Sequence, residues 1–120
     1  MLPEELCKPL LPDDFWLNYL KSNFYYSNGH VYRKDRPKPI GTINPKGYRI
    51  VRLGPLKNRN EKINFKVHIL CWYLYWGIWP ESEIDHIDRD RGNNSIDNLR
   101  TISRKENLER RKIRKTEDPF

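Results

Sequence analysis

Asn98 follows His86 by twelve residues and Asn107 follows it by twenty-one, and the residues between them leave few ways to fold. Ile84 to Ile87 reads as a short strand and Leu99 to Ile102 as a second one. Residues 88–97 are rich in Asp, Asn, Gly and Ser and form a polar loop between them. Ser103 and Glu106 stand at capping-box spacing, so a helix is expected from Ser103 to about Arg111, with Asn107 in its second turn. The last third is thus strand, loop, strand, helix. Asp85-His86 ends the first strand, Asn98 starts the second, and Asn107 rides on the helix. Such a set offers oxygen ligands to a divalent cation and an imidazole to take a proton from water. Those are the two parts needed to cut a phosphodiester.

Charge is unevenly distributed around this segment. Residues 31–66 hold eleven Lys and Arg against two Asp and Glu, while 67–98 hold two against six. The tail from residue 99 is basic again, within a formal net charge of +7 over 120 residues. Basic flanks suit a polyanion such as DNA or RNA, because Lys and Arg neutralise phosphates and release counterions. The acidic middle suits a cation. A solvated surface with chance clustering is the competing reading. The two cysteines, Cys7 and Cys71, match no zinc spacing and form no disulfide framework, and Cys71 in its apolar run is expected to be a small buried hydrophobe. A reducing cytoplasm is the expected location, that of a host cell if a phage encodes the chain. Met1-Leu2-Pro3-Glu4-Glu5 reads as no signal peptide, and no stretch approaches the ~20 apolar residues of a membrane span.

Upstream, Asp13 or Asp14 is placed to cap a short helix running to about Lys21. Asn28-Gly29 is a strong hairpin signal joining Phe24-Tyr25-Tyr26 to Val31-Tyr32-Arg33. Residues 34–47, with three prolines and two glycines, read as a loop, and Tyr48 to Leu53 as a strand. From Lys62 to Val67, Ile63, Phe65 and Val67 alternate with Lys62, Asn64 and Lys66. Residues 24–66 are therefore expected to form a small antiparallel sheet with one basic face. Val67 to Trp76 is apolar nearly all round and is expected to be a buried helix ended by Gly77, its aromatic residues packing in the core. The fold class is α+β, in four parts. Residues 1–23 form an N-terminal extension with a short helix, 24–66 a basic DNA-binding sheet, 67–112 the segment that carries the chemistry, and 113–120 a basic flexible tail.

In Asp85-His86, Asn93-Asn94, Asn98-Leu99-Arg100 and Asn107 the chain resembles the HNH nucleases, which share a ββα-metal fold. It is nearest to the phage and intron-encoded HNH homing endonucleases. The likeness extends upstream through Tyr26-Ser27-Asn28-Gly29-His30-Val31-Tyr32, Lys46-Gly47-Tyr48-Arg49 and Lys66-Val67-His68, covering roughly residues 24–110. The resemblance implies that His86 is the general base, that Asp85 is a metal ligand, and that Asn107 stands where most members place a second, histidine ligand. Asn98 takes the middle position, which buttresses the loop and orients the histidine. One divalent metal, Mg²⁺ or Mn²⁺, is implied, since an amide oxygen suits a hard cation rather than zinc. A neutral His86 near pH 7 is consistent with an unperturbed imidazole pKa of ~6.5. The chain departs from the pattern at Arg89-Asp90, where many relatives carry Gly-Asn.

The resemblance implies a metal-dependent endonuclease that hydrolyses double-stranded DNA, a phage nicking or homing enzyme, with no membrane partner and with monomer and homodimer both open. A non-catalytic DNA-binding protein on the same scaffold and an RNA-directed nuclease are the alternatives. Arg33, Lys34, Arg49, Arg52, Lys62 and Lys66 are expected to face the DNA backbone. Arg89 and Arg91 in the loop and Arg110 and Arg111 near the tail are placed to add phosphate contacts. Asp88, Asn93 and Asn94 read as loop formers and His68 as a core histidine outside the catalytic set.

Overall fold

The Asp13 side chain accepts a hydrogen bond from the Trp16 amide, and this cap opens helix α1 (Asp14–Asn23). The computed structural model describes residues 11–55 and 60–102. The chain leaves α1 directly into β1 (Phe24–Ser27), turns at Asn28-Gly29, and returns as β2 (His30–Arg33). Both turn residues have positive φ, as the Asn-Gly signal requires. Three further strands follow: β3 (Thr42–Ile43), β4 (Arg49–Leu53) and β5 (Ile63–Lys66). Helix α2 (Val67–Trp76) comes next and stops at Gly77 in the left-handed conformation. The hairpin of β6 (Glu83–His86) and β7 (Leu99–Ile102) ends the described part, with a short 3₁₀ turn at Ile96–Asn98 before β7. The architecture is α+β, and all strand pairs are antiparallel.

Two expectations need correction. Residues 24–66 do not form one sheet. β1 and β2 pair only with each other, and β3, β4 and β5 make a separate sheet. Residues 34–47 are not all loop, because Thr42 and Ile43 pair with Ile50 and Arg49. The prolines and glycines between β2 and β3 break the ladder, leaving one bridge from Tyr32 to Pro39. A strand of two residues is too short for its alternation to show in sequence.

The core gathers Trp16 and Leu20 from α1, Phe24 and Val31 from the hairpin, Leu53 and Phe65 from the second sheet, and Leu99 from β7. All of these pack around Val67, Leu70, Cys71 and Tyr73 of α2. Each fully buried aliphatic side chain contributes about 2 kcal/mol. α2 is apolar all round because the β1–β2 hairpin and the β4–β5 pair both pack on it. The exception is its C-terminal end, where Tyr75 and Trp76 are exposed, so the aromatic cluster is only partly core. Cys71 is buried as expected, and burial pushes its thiol up to about 12. Among the described residues no helix is long and apolar enough to cross a membrane.

Candidate active site

His86 is the last residue of β6 and pairs across the hairpin with Leu99. It shares the core-facing side of the strand with Ile84, so its imidazole is buried. Its Nε2 lies 2.9 Å from the Asn94 Oδ1 atom. An amide oxygen only accepts, so Nε2 carries the proton in the neutral ring and Nδ1 keeps a lone pair. Asn94 thus selects the tautomer of the residue expected to act as base.

Asn94 is 1% exposed, and its placement comes from far upstream. The β1–β2 turn presses on the segment that holds it. A Cβ on Gly29 would meet the Ser95 nitrogen at 3.0 Å, and its left-handed backbone (φ 82) strains any residue with a Cβ, so glycine is favoured. The Tyr26 hydroxyl accepts the Ile96 amide at 2.8 Å, one residue further on. The loop-former reading of Asn94 missed this role. An Asn-Asn pair in a polar loop is ordinary turn chemistry, and the tertiary contact that buries the second one leaves no local trace.

Asn98 is the last residue of the 3₁₀ turn before β7. Its Oδ1 accepts the Asp88 amide at 2.9 Å, and its Nδ2 donates to Asp88 Oδ1 and to the Asn93 carbonyl, each at 2.9 Å. Asp88 also accepts from the Asp90 amide and the Asn93 side chain. The Asn93 hydrogen bond, the Asp90 amide and Asn98 hold the Asp88 carboxyl below its ordinary value. Asp88 and Asn98 therefore clasp the loop across its neck. Arg89 sits inside that loop at φ 66. A left-handed backbone at a residue with a Cβ costs about 1–2 kcal/mol, which a glycine there would avoid.

Asp85 lies on the other face of β6, opposite Arg100 on β7, whose Nε donates to Asp85 Oδ2 at 3.1 Å. The carboxylate is buried and the guanidinium half exposed. Asp85 and His86 are therefore adjacent in the chain but project from opposite faces. Asn107, Arg110 and Arg111 lie outside the described residues, as does the helix expected from Ser103. Among the described residues no three His, Cys, Asp or Glu side chains cluster to hold a metal. The chemistry of the donors still fits a hard divalent ion. Asp85 supplies carboxylate oxygens, hard ligands of the kind such an ion takes, and the described thiol, Cys71, is buried and protonated.

His68, read as a core histidine, does stand in the core, but against the site. Its ring meets the His86 ring edge-on with centroids 4.9 Å apart, and the Tyr48 ring lies 5.7 Å from His68 and 6.3 Å from His86. Burial, and then the nearby His86 and Lys66, lower its pKa from 6.5 to about 3. Below about pH 6.5 the unfolded chain therefore takes a proton at His68 that the folded chain refuses. Its contribution to stability is complete above that pH and declines as pH falls, at up to about 1.4 kcal/mol per unit. Between pH 7 and pH 5 a loss of about 2 kcal/mol is expected from this group. Urea midpoints across that range measure it, and His68→Phe should flatten the decline.

The basic residues divide. Arg52 and Lys66 are exposed on the outward side of the second sheet, and Lys62, just before β5, is exposed as well. Arg49 shares the inward side with Val51 and Leu53, donates to the Gly41 carbonyl at 2.8 Å, and leaves its Nε without a partner in the interior. It does not stand with the outward cations. Arg33 pairs with Asp35 and stacks over Phe24, and Lys34 reaches the Lys21 carbonyl, so both are tied to the first hairpin. Arg89 and Arg91 are exposed on the loop beside the site.

A family profile described as HNH endonuclease matches residues 65–109, the stretch from the end of β5 through α2 and the β6–β7 hairpin and beyond. A solved structure described as "DNA binding and cleavage by the HNH homing endonuclease I-HmuI" is similar in fold, with a TM-score of 0.61 and 26% sequence identity. The match covers 78% of this chain and 54% of that one, so the present chain corresponds to about half of that protein. No curated protein sequence matches the chain significantly.

Proposed function

We propose that the chain is an HNH endonuclease, as the profile match over residues 65–109 suggests, and that it hydrolyses DNA phosphodiester bonds with His86 as general base. The supporting observation is the buried pair of His86 and Asn94. With Nε2 committed to the Asn94 oxygen, Nδ1 is the ring atom left to accept a proton from an attacking water. The Asp88–Asn98 clasp fixes the loop that carries Asn94 and so fixes the ring. DNA is taken as substrate because the similar homing endonuclease binds and cleaves it.

Asp85 and Asn107 would hold one divalent cation, Mg²⁺ or Mn²⁺. Bound there, it would neutralise charge developing on the phosphate and the leaving oxygen. Arg100 orients the Asp85 carboxylate for that task. One such imidazole per chain predicts a nick, and a double-strand break requires two chains or two events. The outward cations of the second sheet, Arg52, Lys62 and Lys66, would hold the duplex backbone.

A plasmid assay tests this reading. Supercoiled DNA should be nicked in Mg²⁺ or Mn²⁺ and left intact in EDTA, with single-stranded RNA run in parallel. Intact plasmid in every metal, from protein that still binds it, would leave a binding scaffold only. Preferential loss of the RNA would redirect the substrate.

A further inference from the structure

One feature beside His86 belongs neither to its hydrogen bonds nor to the metal ligands. The Tyr48 ring carries two cations: the Lys66 ammonium at 5.1 Å from its centroid and the Arg91 guanidinium at 4.7 Å. These come from three separate elements, the β3–β4 turn, the end of β5 and the loop after β6. The ring itself is held firmly. The Asn44 side chain accepts the Lys46 and Tyr48 amides, each at 3.0 Å, and Gly47 closes the turn onto the Asn44 carbonyl at 2.9 Å. Arg91 is fixed as well as stacked. It donates to the Lys46 carbonyl at 2.8 Å and packs its stem over Gly47.

Neither cation faces a carboxylate in an ion pair among the described residues. The acids of the same loop have hydrogen-bond partners inside it. Asp88 serves Asn93, Asn98 and the Asp90 amide, and Asp90 takes the Gly92 amide. Like charges repel, so two cations on one ring are stable only where something favours them. The aromatic quadrupole supplies part of that. A bound anion would supply more.

We propose that Tyr48, Lys66 and Arg91 form a preorganised phosphate subsite, which holds a backbone phosphate of the nucleic acid next to the bond presented to His86. The identity of the polyanion as DNA rests on the nuclease reading. The subsite itself rests on the cation pair. Its position follows from the ring contacts, since Tyr48 touches both His68 and His86. Tyr48 acts here by placing the two cations, and its hydroxyl has no part in the binding.

The test is duplex binding in EDTA, by fluorescence anisotropy between 50 and 200 mM salt, where cleavage cannot contribute. Arg91→Gln and Lys66→Gln alter exposed side chains and should fold. Each should weaken binding at low salt and flatten the plot of log affinity against log salt by about one unit. Tyr48→Leu removes no charge yet should weaken binding about three- to tenfold, while Tyr48→Phe, which keeps the ring, should bind as wild type does. Thermal melts of all four establish that they fold. A wild-type salt slope in both Gln variants, or full affinity in a folded Tyr48→Leu, overturns the subsite. Those results leave the nuclease reading standing if plasmid is still nicked. Flattened slopes in a protein that never cleaves sink the nuclease reading and keep the subsite. A wild-type protein that binds no duplex sinks both.

Discussion

Replacing His86 by alanine is expected to lower plasmid nicking by at least about 10³-fold, while duplex affinity in EDTA stays within about twofold of wild type. A general base contributes about 10²–10⁴ to rate, and a buried, aligned one falls in the upper part of that range. The binding term survives because the outward cations lie on the second sheet and on the loop, not on the His86 ring. His86→Gln controls for the cavity left by alanine, since its amide can still meet Asn94, and it should be as inactive. Asn94→Leu separates the base from its tautomer. The leucine fills the same space but accepts no hydrogen bond, so Nε2–H loses its partner and the ring loses its reason to keep Nδ1 bare. A loss of about 10²-fold in kcat at unchanged affinity is expected there. Equal activity in Asn94→Leu and wild type would show that the ring needs no such support. Cleavage retained by His86→Ala would remove the proposed base altogether.

How far the sequence disclosed this arrangement depended on the range of the contact. α2 was legible to the residue because the apolar run buries Val67, Leu70, Cys71 and Tyr73 against two sheets and Gly77 supplies the positive φ its end needs. The β6–β7 hairpin and the Asn28-Gly29 turn were legible for the same reason, since alternation and turn chemistry are local. Asn98 was singled out by the resemblance and by spacing, but its three hydrogen bonds across the loop were not readable from either. Asn94 was not legible, because its burial is set by a turn sixty-odd residues upstream that packs tightly on the next residue, Ser95. Arg49 was placed on the wrong side because its charge was weighed and its register was not. It alternates with Val51 and Leu53, and its guanidinium finds a backbone carbonyl inside. Tyr48 looked like one more strand aromatic. Its importance comes from Lys66 and Arg91 arriving over one ring, and no single segment carries that information.

Substituting Asn98 is expected to damage both stability and activity, and the choice of replacement decides how. Alanine removes an acceptor for the Asp88 amide and two donations, to Asp88 and to the Asn93 carbonyl. At about 1 kcal/mol for each bond, with Asn98 nearly buried, a loss of about 3 kcal/mol is expected in urea denaturation. The loop then loses its neck, Asn94 loses its fixed position, and nicking should fall by at least about 10²-fold. Aspartate is closer in shape and keeps the acceptor for the Asp88 amide. It also sets a second carboxylate against Asp88 at the distance now spanned by a hydrogen bond. Asn98→Asp should therefore be as poor as alanine near pH 7, and should recover stability relative to alanine as pH falls and one of the two acids takes a proton to bridge them. Parallel urea curves of the two variants at pH 7 and pH 5 decide it. If Asn98→Asp matches wild type at pH 7, the amide donations are not what closes the loop. If both variants fold normally and nick at the wild-type rate, the clasp does not position the catalytic ring.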